Sequence, residues 1–225
     1  MTEHNLASFP VHQLADAYRA YRWDSRHCQH GYRPDAFPDF QWIRSLEARF
    51  AWTRDRVAQM RDEPPRYLIE EMIAWGGNQN GMLQVFQDGL SRTNFYVLLR
   101  RVIRSLDTPD MALAAALCIP GLGLTYSSKL LRFLAPDAYG ALDSRIEEAL
   151  VALDLLRRIN RSSRSSMIAG YRAFLELLRW LRVELEKRSI ERPGETPGAA
   201  WRPADIEMAL FAWSERRKPA RSAGK

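Results

Sequence analysis

The sequence predicts an all-α fold, and three observations predict it. Apolar residues recur at three- and four-residue spacing along most of the 225 residues, the period of helices with one buried face. No stretch alternates apolar and polar residues for more than a few positions, as a half-buried strand would. The pattern is interrupted where Pro, Gly, Asn and Asp cluster, the residues that begin and end helices.

In chain order, Leu14, Ala17, Tyr18 and Tyr21 make a first helical face, and Phe40, Ile43, Leu46, Phe50 and Val57 a second. Pro64 and Pro65 suit the first turn of a third helix that carries Leu68, Ile69, Met72, Ile73 and Trp75. The run Gly76-Gly77-Asn78-Gln79-Asn80-Gly81 breaks the pattern. A helix is expected over 93–106, with Phe95, Leu98, Leu99, Val102 and Ile103 inward and Arg100, Arg101 and Arg104 outward. Thr108-Pro109-Asp110 reads as the cap and first turn of a helix ending at Cys118. After a glycine hairpin, a helix is expected over 125–134, then Asp143 or Ser144 as the cap of another over 145–153. The longest helix is expected over 165–188, and the last over 204–213. Residues 192–200, rich in Pro, Gly and small side chains, read as a connector. We expect one domain over 1–214, as one body or two lobes around a cleft, and a basic disordered tail over 215–225.

Composition narrows the function. With 46% hydrophobic residues the chain can bury a sizeable core. Its apolar runs are too short to span a bilayer, and its first ten residues lack a basic-then-apolar leader, so a cytoplasmic protein is expected. The net charge is +6, the pI is near 9.6, and four of the 33 basic residues are Lys. Arg grips phosphate in a bidentate fork, so this balance favours a nucleic-acid partner. Two cysteines, Cys28 and Cys118, cannot make a four-thiolate site, and His27-Cys28-Gln29-His30 has no second cluster to complete it. We therefore expect neither metal nor cofactor. No Walker loop, dinucleotide fingerprint or nucleophile elbow is present.

The chemistry-bearing stretch runs from Ile119 to Arg145. Ile119-Pro120-Gly121-Leu122-Gly123 places two glycines between apolar helices. The turn leaves the first amides of the second helix unpaired, and with the helix dipole behind them they suit one backbone phosphate. Gly121, Leu122, Gly123, Thr125, Ser127 and Ser128 are the candidate DNA contacts. Lys129 stands in an otherwise apolar stretch, and Asp143 follows twenty positions after Gly123.

These residues resemble the helix–hairpin–helix DNA glycosylase superfamily. The string Ser128-Lys129-Leu130-Leu131-Arg132-Phe133-Leu134, with Pro136, Tyr139 and Asp143, is similar to bacterial 8-oxoguanine-glycosylase-like proteins, as is Trp201-Arg202 with Ala204 to Phe211. The resemblance implies a helix–hairpin–helix glycosylase-like bundle and a monomer acting on double-stranded DNA at the nucleoid. It implies Asp143 as the catalytic acid. It also implies a polar loop that fills the gap left by a flipped base, for which Asn78, Gln79 and Asn80 have the right character. Superfamily members with lyase activity carry a Schiff-base lysine two residues past the second glycine; here that residue is Thr125, and Lys129 lies one helical turn further on. Lys129 is the candidate amine. Two other readings stay open: a non-catalytic DNA-binding or defence-associated module on the same scaffold, and a helical protein-interaction domain.

Overall fold

The C-terminal helix closes onto the first helix, so the two ends of the chain share one core. The structure is a computed structural model that describes Leu6, residues 8–23, 35–57 and 66–194, Thr196, and residues 198–216. Among these residues there are ten α-helices: α1 (Leu14–Arg19), α2 (Gln41–Arg56), α3 (Arg66–Trp75), α4 (Met82–Leu90), α5 (Phe95–Arg104), α6 (Pro109–Ala116), α7 (Leu124–Leu134), α8 (Ser144–Val151), α9 (Arg164–Lys187) and α10 (Pro203–Arg216). The one ladder described is antiparallel, β1 (Arg22–Trp23) against β2 (Asp35–Ala36). The fold is all-α, as the spacing predicts.

Local chemistry sets the helix starts. Asp35 accepts hydrogen bonds from the amides of Trp42 (2.9 Å) and Ile43 (3.4 Å), which are orphan donors in the first turn of α2. Asn94 caps α5 through the Val97 amide at 3.2 Å, and Ser163 caps α9 through Ser166 at 3.2 Å. Thr108 precedes Pro109 at the start of α6 as the sequence predicts, yet its hydroxyl makes no cap bond.

α7 is the centre of the molecule. Every residue of it except Thr125 is buried, because α2, α3 and α6 all pack against it. α10 packs on α1, α8 and α9 and is buried from Pro203 to Ser214. One continuous apolar cluster runs from Leu6 to Trp213. Burial on this scale supplies most of the stability of short helices that would be marginal alone.

Several sequence expectations need correction. Helix α10 continues through Glu215 and Arg216, where the tail was expected to begin; Arg145 meets Glu215 at 2.7 Å. Residues 217–225 lie outside the described residues, as do His27, Cys28 and His30 and the helix start expected at Pro64 and Pro65. No helix among the described residues is long and apolar enough to cross a membrane.

Candidate active site and nucleic-acid interface

α6 and α7 pack side by side, joined by a turn over 117–123. Gly121 takes φ +77, and a Cβ there would lie 3.1 Å from the Phe86 amide nitrogen of α4. Glycine is needed on both counts, for conformation and for close approach. Gly123 differs: its φ of −72 and ψ of −176 suit any residue, and its Cβ position faces open space. It caps α7 without a side chain to offer, and no side chain caps that helix end. The first helical bond runs from the Ser127 amide to the Gly123 carbonyl. The amides of Leu124 and Thr125 therefore lie at an open helix terminus.

The other expected contacts divide. Thr125 is half-buried beside the opening, and its Oγ1 accepts from Arg161 at 2.9 Å. Leu122 is 3% exposed and its amide already bonds Ile119. Ser127 and Ser128 are both 0% exposed. The Ser127 hydroxyl donates to the Leu122 carbonyl (3.1 Å). The Ser128 hydroxyl donates to the Thr125 carbonyl (2.9 Å) and accepts from the Leu142 amide (2.9 Å). Among the candidate DNA contacts, the side chains of Leu122, Ser127 and Ser128 thus face inward, and the two serines tie the hairpin together from within.

Arg161 and Arg164 reach the elements that flank the opening. Arg157, Arg158, Arg161 and Arg164 are exposed. Arg161 also pairs with Glu147 at 2.5 Å, and Arg164 hydrogen-bonds the Ala114 carbonyl and Cys118. Two of the four are thereby held against α6 and α7. Arg101 and Arg104 of α5 are exposed as well, whereas Arg100 leans on Tyr96.

Beneath the hairpin lies Lys129, 7% exposed. Its ammonium sits over the rings of Trp75 (5.0 Å), Tyr126 (5.4 Å) and Trp23 (5.8 Å). A Cβ on Gly76 would come within 2.9 Å of Nζ, so the glycine run 76–81 begins against this amine. Burial pushes the lysine down from its usual range; Asp143 and Glu207 push it back up. A desolvated amine with a larger neutral fraction is a better nucleophile, while the aromatic faces favour its cationic form.

Asp143 is half-exposed at the N-terminus of α8. Its Oδ1 accepts from the Ile146 amide at 2.9 Å, which leaves Oδ2 for other partners. Cap and functional carboxylate are compatible, because a cap projects its carboxylate beyond the helix end. Lys129 and Asp143 act on each other electrostatically, so the structure brings the two sequence candidates into one neighbourhood.

The turn over 76–81 opens onto the same neighbourhood at one end. The Gly76 carbonyl accepts from the Tyr126 hydroxyl at 3.4 Å. Asn78 and Asn80 are exposed with positive φ of 42 and 57, and Asn78 Oδ1 accepts from the Leu83 amide at 2.8 Å. The Gln79 side chain lies outside the described structure.

Sequence reasoning missed several members of the site. Trp23 contacts the lysine and carries Arg145 over its ring at 5.5 Å. Glu207 of α10 is 7% exposed, and burial lifts its carboxyl to about 7. Arg132, fully buried, lies between Glu207 (3.6 Å) and Glu47 (2.7 Å). The available signal was the one used for Lys129: Glu207 is a charge in an otherwise apolar helix, between Ile206 and Met208. Trp75, Trp201 and Trp213 are buried in the core at 5%, 2% and 3% exposure and present no ring for a base to stack on.

A helical bundle with an open glycine hairpin over a buried amine and a capped carboxylate defines a DNA glycosylase-like protein. The chain belongs to the family described as "Putative 8-oxoguanine DNA glycosylase OGG-like protein", whose model matches residues 10–211. No curated protein and no solved structure matches the chain.

Proposed function

We propose that this protein is a base-excision DNA glycosylase. It binds duplex DNA as a monomer, through the amides of Leu124 and Thr125 and the neighbouring exposed arginines, and flips out a damaged or modified base. Asn78 and Asn80, with Gln79 between them, fill the gap. The electron-poor sugar that forms as the N-glycosidic bond breaks is stabilised by the Asp143 carboxylate. The bonding electrons leave with the base, which takes up a proton. Water, or the Lys129 amine, supplies the new bond to the sugar carbon; through the amine the product is an imine, which borohydride reduces. The chain works as one domain over 1–214 around this cleft, in the cytoplasm at the nucleoid. The observation that carries the proposal is the 2.9 Å bond from the Leu142 amide to Ser128, which sets Asp143 beside Lys129, next to a hairpin whose N-cap faces open space.

The test is incubation with a panel of lesion-bearing duplexes, with and without borohydride. Asp143→Asn should abolish base release while duplex affinity stays within about twofold, since one exposed charge away from the phosphate contacts carries little of the binding. Equal base release by that variant defeats the assignment. One observation favours a second reading, a DNA-binding module without lyase chemistry: three aromatic rings enclose the lysine, and Thr125 stands where the superfamily's lysine would be. In that case no duplex releases a base, Asp143→Asn is silent, and borohydride traps nothing.

A further inference from the structure

A buried chain of charges runs from α10 to the candidate site, and the proposed excision uses none of it. Arg202 binds Asp205 through two bonds (2.9 and 2.8 Å) and Glu47 at 3.0 Å. Glu47 meets Arg132 at 2.7 Å, and Arg132 meets Glu207 at 3.6 Å. Arg132 has no exposed surface. Buried charge of this kind is costly to assemble, and a hydrophobic replacement is often as stable or more so. Stability alone therefore does not explain the chain, and its end point matters.

That end point is the strap over 139–143 that delivers Asp143. Each of its residues is held by a different element. The Tyr139 hydroxyl bonds the Leu106 carbonyl, and the Gly140 carbonyl accepts from Tyr171 at 2.9 Å. Glu207 packs directly on the strap, since a Cβ on Gly140 would lie 3.0 Å from Glu207 Cβ, and its carboxylate takes the Ala141 amide as a partner; the Leu142 amide bonds Ser128 at 2.9 Å. Glu207 is thus the one strap anchor that can change charge near neutral pH.

We infer that Glu207 is a positioning residue of the site: through the Ala141 amide it sets where the Asp143 carboxylate stands, and through its charge it sets the balance between Asp143 and Lys129. This rests on the glycosylase reading for its catalytic consequence, though not for its geometry. The groups that face Glu207 come from every element around it. Arg132 and Lys129 lie on α7, Asp143 at the start of α8, Tyr171 on α9, and Tyr21 after α1. Arg132 and Lys129 favour its ionised form, and Asp143 opposes it. Ionised, Glu207 anchors the strap and raises the lysine; protonated, it lets the lysine fall towards its neutral form.

The experiment has two arms on the full-length protein, with wild type, Glu207→Gln and Glu207→Asp. In the first arm, carbon-13 NMR of the lysines follows the titration of Lys129, assigned by Lys129→Arg; the chain has four lysines. Glu207→Gln should lower the midpoint by about one pH unit, shift the amide signals of Ala141 and Leu142, and leave Lys187 unmoved. In the second arm, base release is measured from about pH 5 to about pH 9. Glu207→Gln should slow kcat by up to ~100-fold and remove one limb of the pH profile without changing DNA affinity, and Glu207→Asp should restore the limb. A Lys129 midpoint and strap amides unchanged in Glu207→Gln overturn the inference, as does an unchanged pH profile in a protein that Asp143→Asn inactivates. If wild type releases no base from any duplex, the glycosylase reading fails, and the first arm alone decides the role of Glu207.

Discussion

Lys129 is flanked by two segments of opposite construction. The strap over 139–143 is extended chain without regular hydrogen bonding of its own, and four other elements hold it, through Leu106, Tyr171, Glu207 and Ser128. Beyond Gly76, whose carbonyl takes the Tyr126 hydroxyl, the turn over 76–81 holds itself. Its bonds are local, from Gly77 to Ala74, Asn78 to Ile73, and Leu83 to Asn78, and Gly77, Asn78, Asn80 and Gly81 all take positive φ. The first construction fixes a carboxylate against displacement. The second presents short polar side chains to solvent on a backbone that few residue types can follow. A site that must hold an acid still while probing a partner's surface needs both.

The contrast can be broken most severely at Glu207. Its carboxyl titrates near 4.5 in an ordinary environment and at about 7 in the fold. Between those values the folded state keeps a proton that the unfolded chain has released, so stability falls as pH rises through this window and is level on either side. Relative to Glu207→Gln, wild type should lose about 3 kcal/mol across it. Urea unfolding of both proteins below and above the window measures this, and parallel pH dependences would contradict it. Next comes the strap's closest approach. A Cβ on Gly140 would lie 2.7 Å from Leu178 Cδ1, 3.0 Å from Glu207 Cβ and 3.2 Å from the Pro203 carbonyl. Gly140→Ala should therefore cost about 2 kcal/mol through overpacking, visible as a lower Tm; an unchanged Tm would show that the strap can shift. The smallest effect belongs to the turn. Asn78→Ala removes the partner of the Leu83 amide and should cost about 1 kcal/mol, with local hydrogen exchange faster at residues 82–84 and the strap amides unaffected. Faster exchange at Ala141 or Leu142 would mean that the two segments are coupled.

Much of the fold was legible because helices are local objects. The three- and four-residue spacing placed the helices within a few positions, except α4 over Met82–Leu90, which it did not anticipate; Asp143 announced its capping role by standing before Ser144-Arg145-Ile146. Thr108, read as a cap, makes no cap bond. The hairpin was legible as a turn. That Ser127 and Ser128 face inward was not, because α7 is enclosed on all sides, and enclosure by other helices leaves no periodic mark on a uniformly apolar segment. Lys129 stood out as a charge among apolar residues, although its aromatic neighbours come from β1, α3 and its own helix.

The sequence by itself determined where helices form, where glycine must turn the chain, and which acid caps α8, since each of these depends on residues a few positions apart. Only the tertiary structure decided that Glu207 meets Arg132 behind the strap that carries Asp143, that Trp23 and Trp75 close over Lys129, and that Gly123 rather than Ser127 or Ser128 is left open. Those outcomes depend on desolvation and on contacts between segments far apart in the chain, and both exist only once the helices have packed.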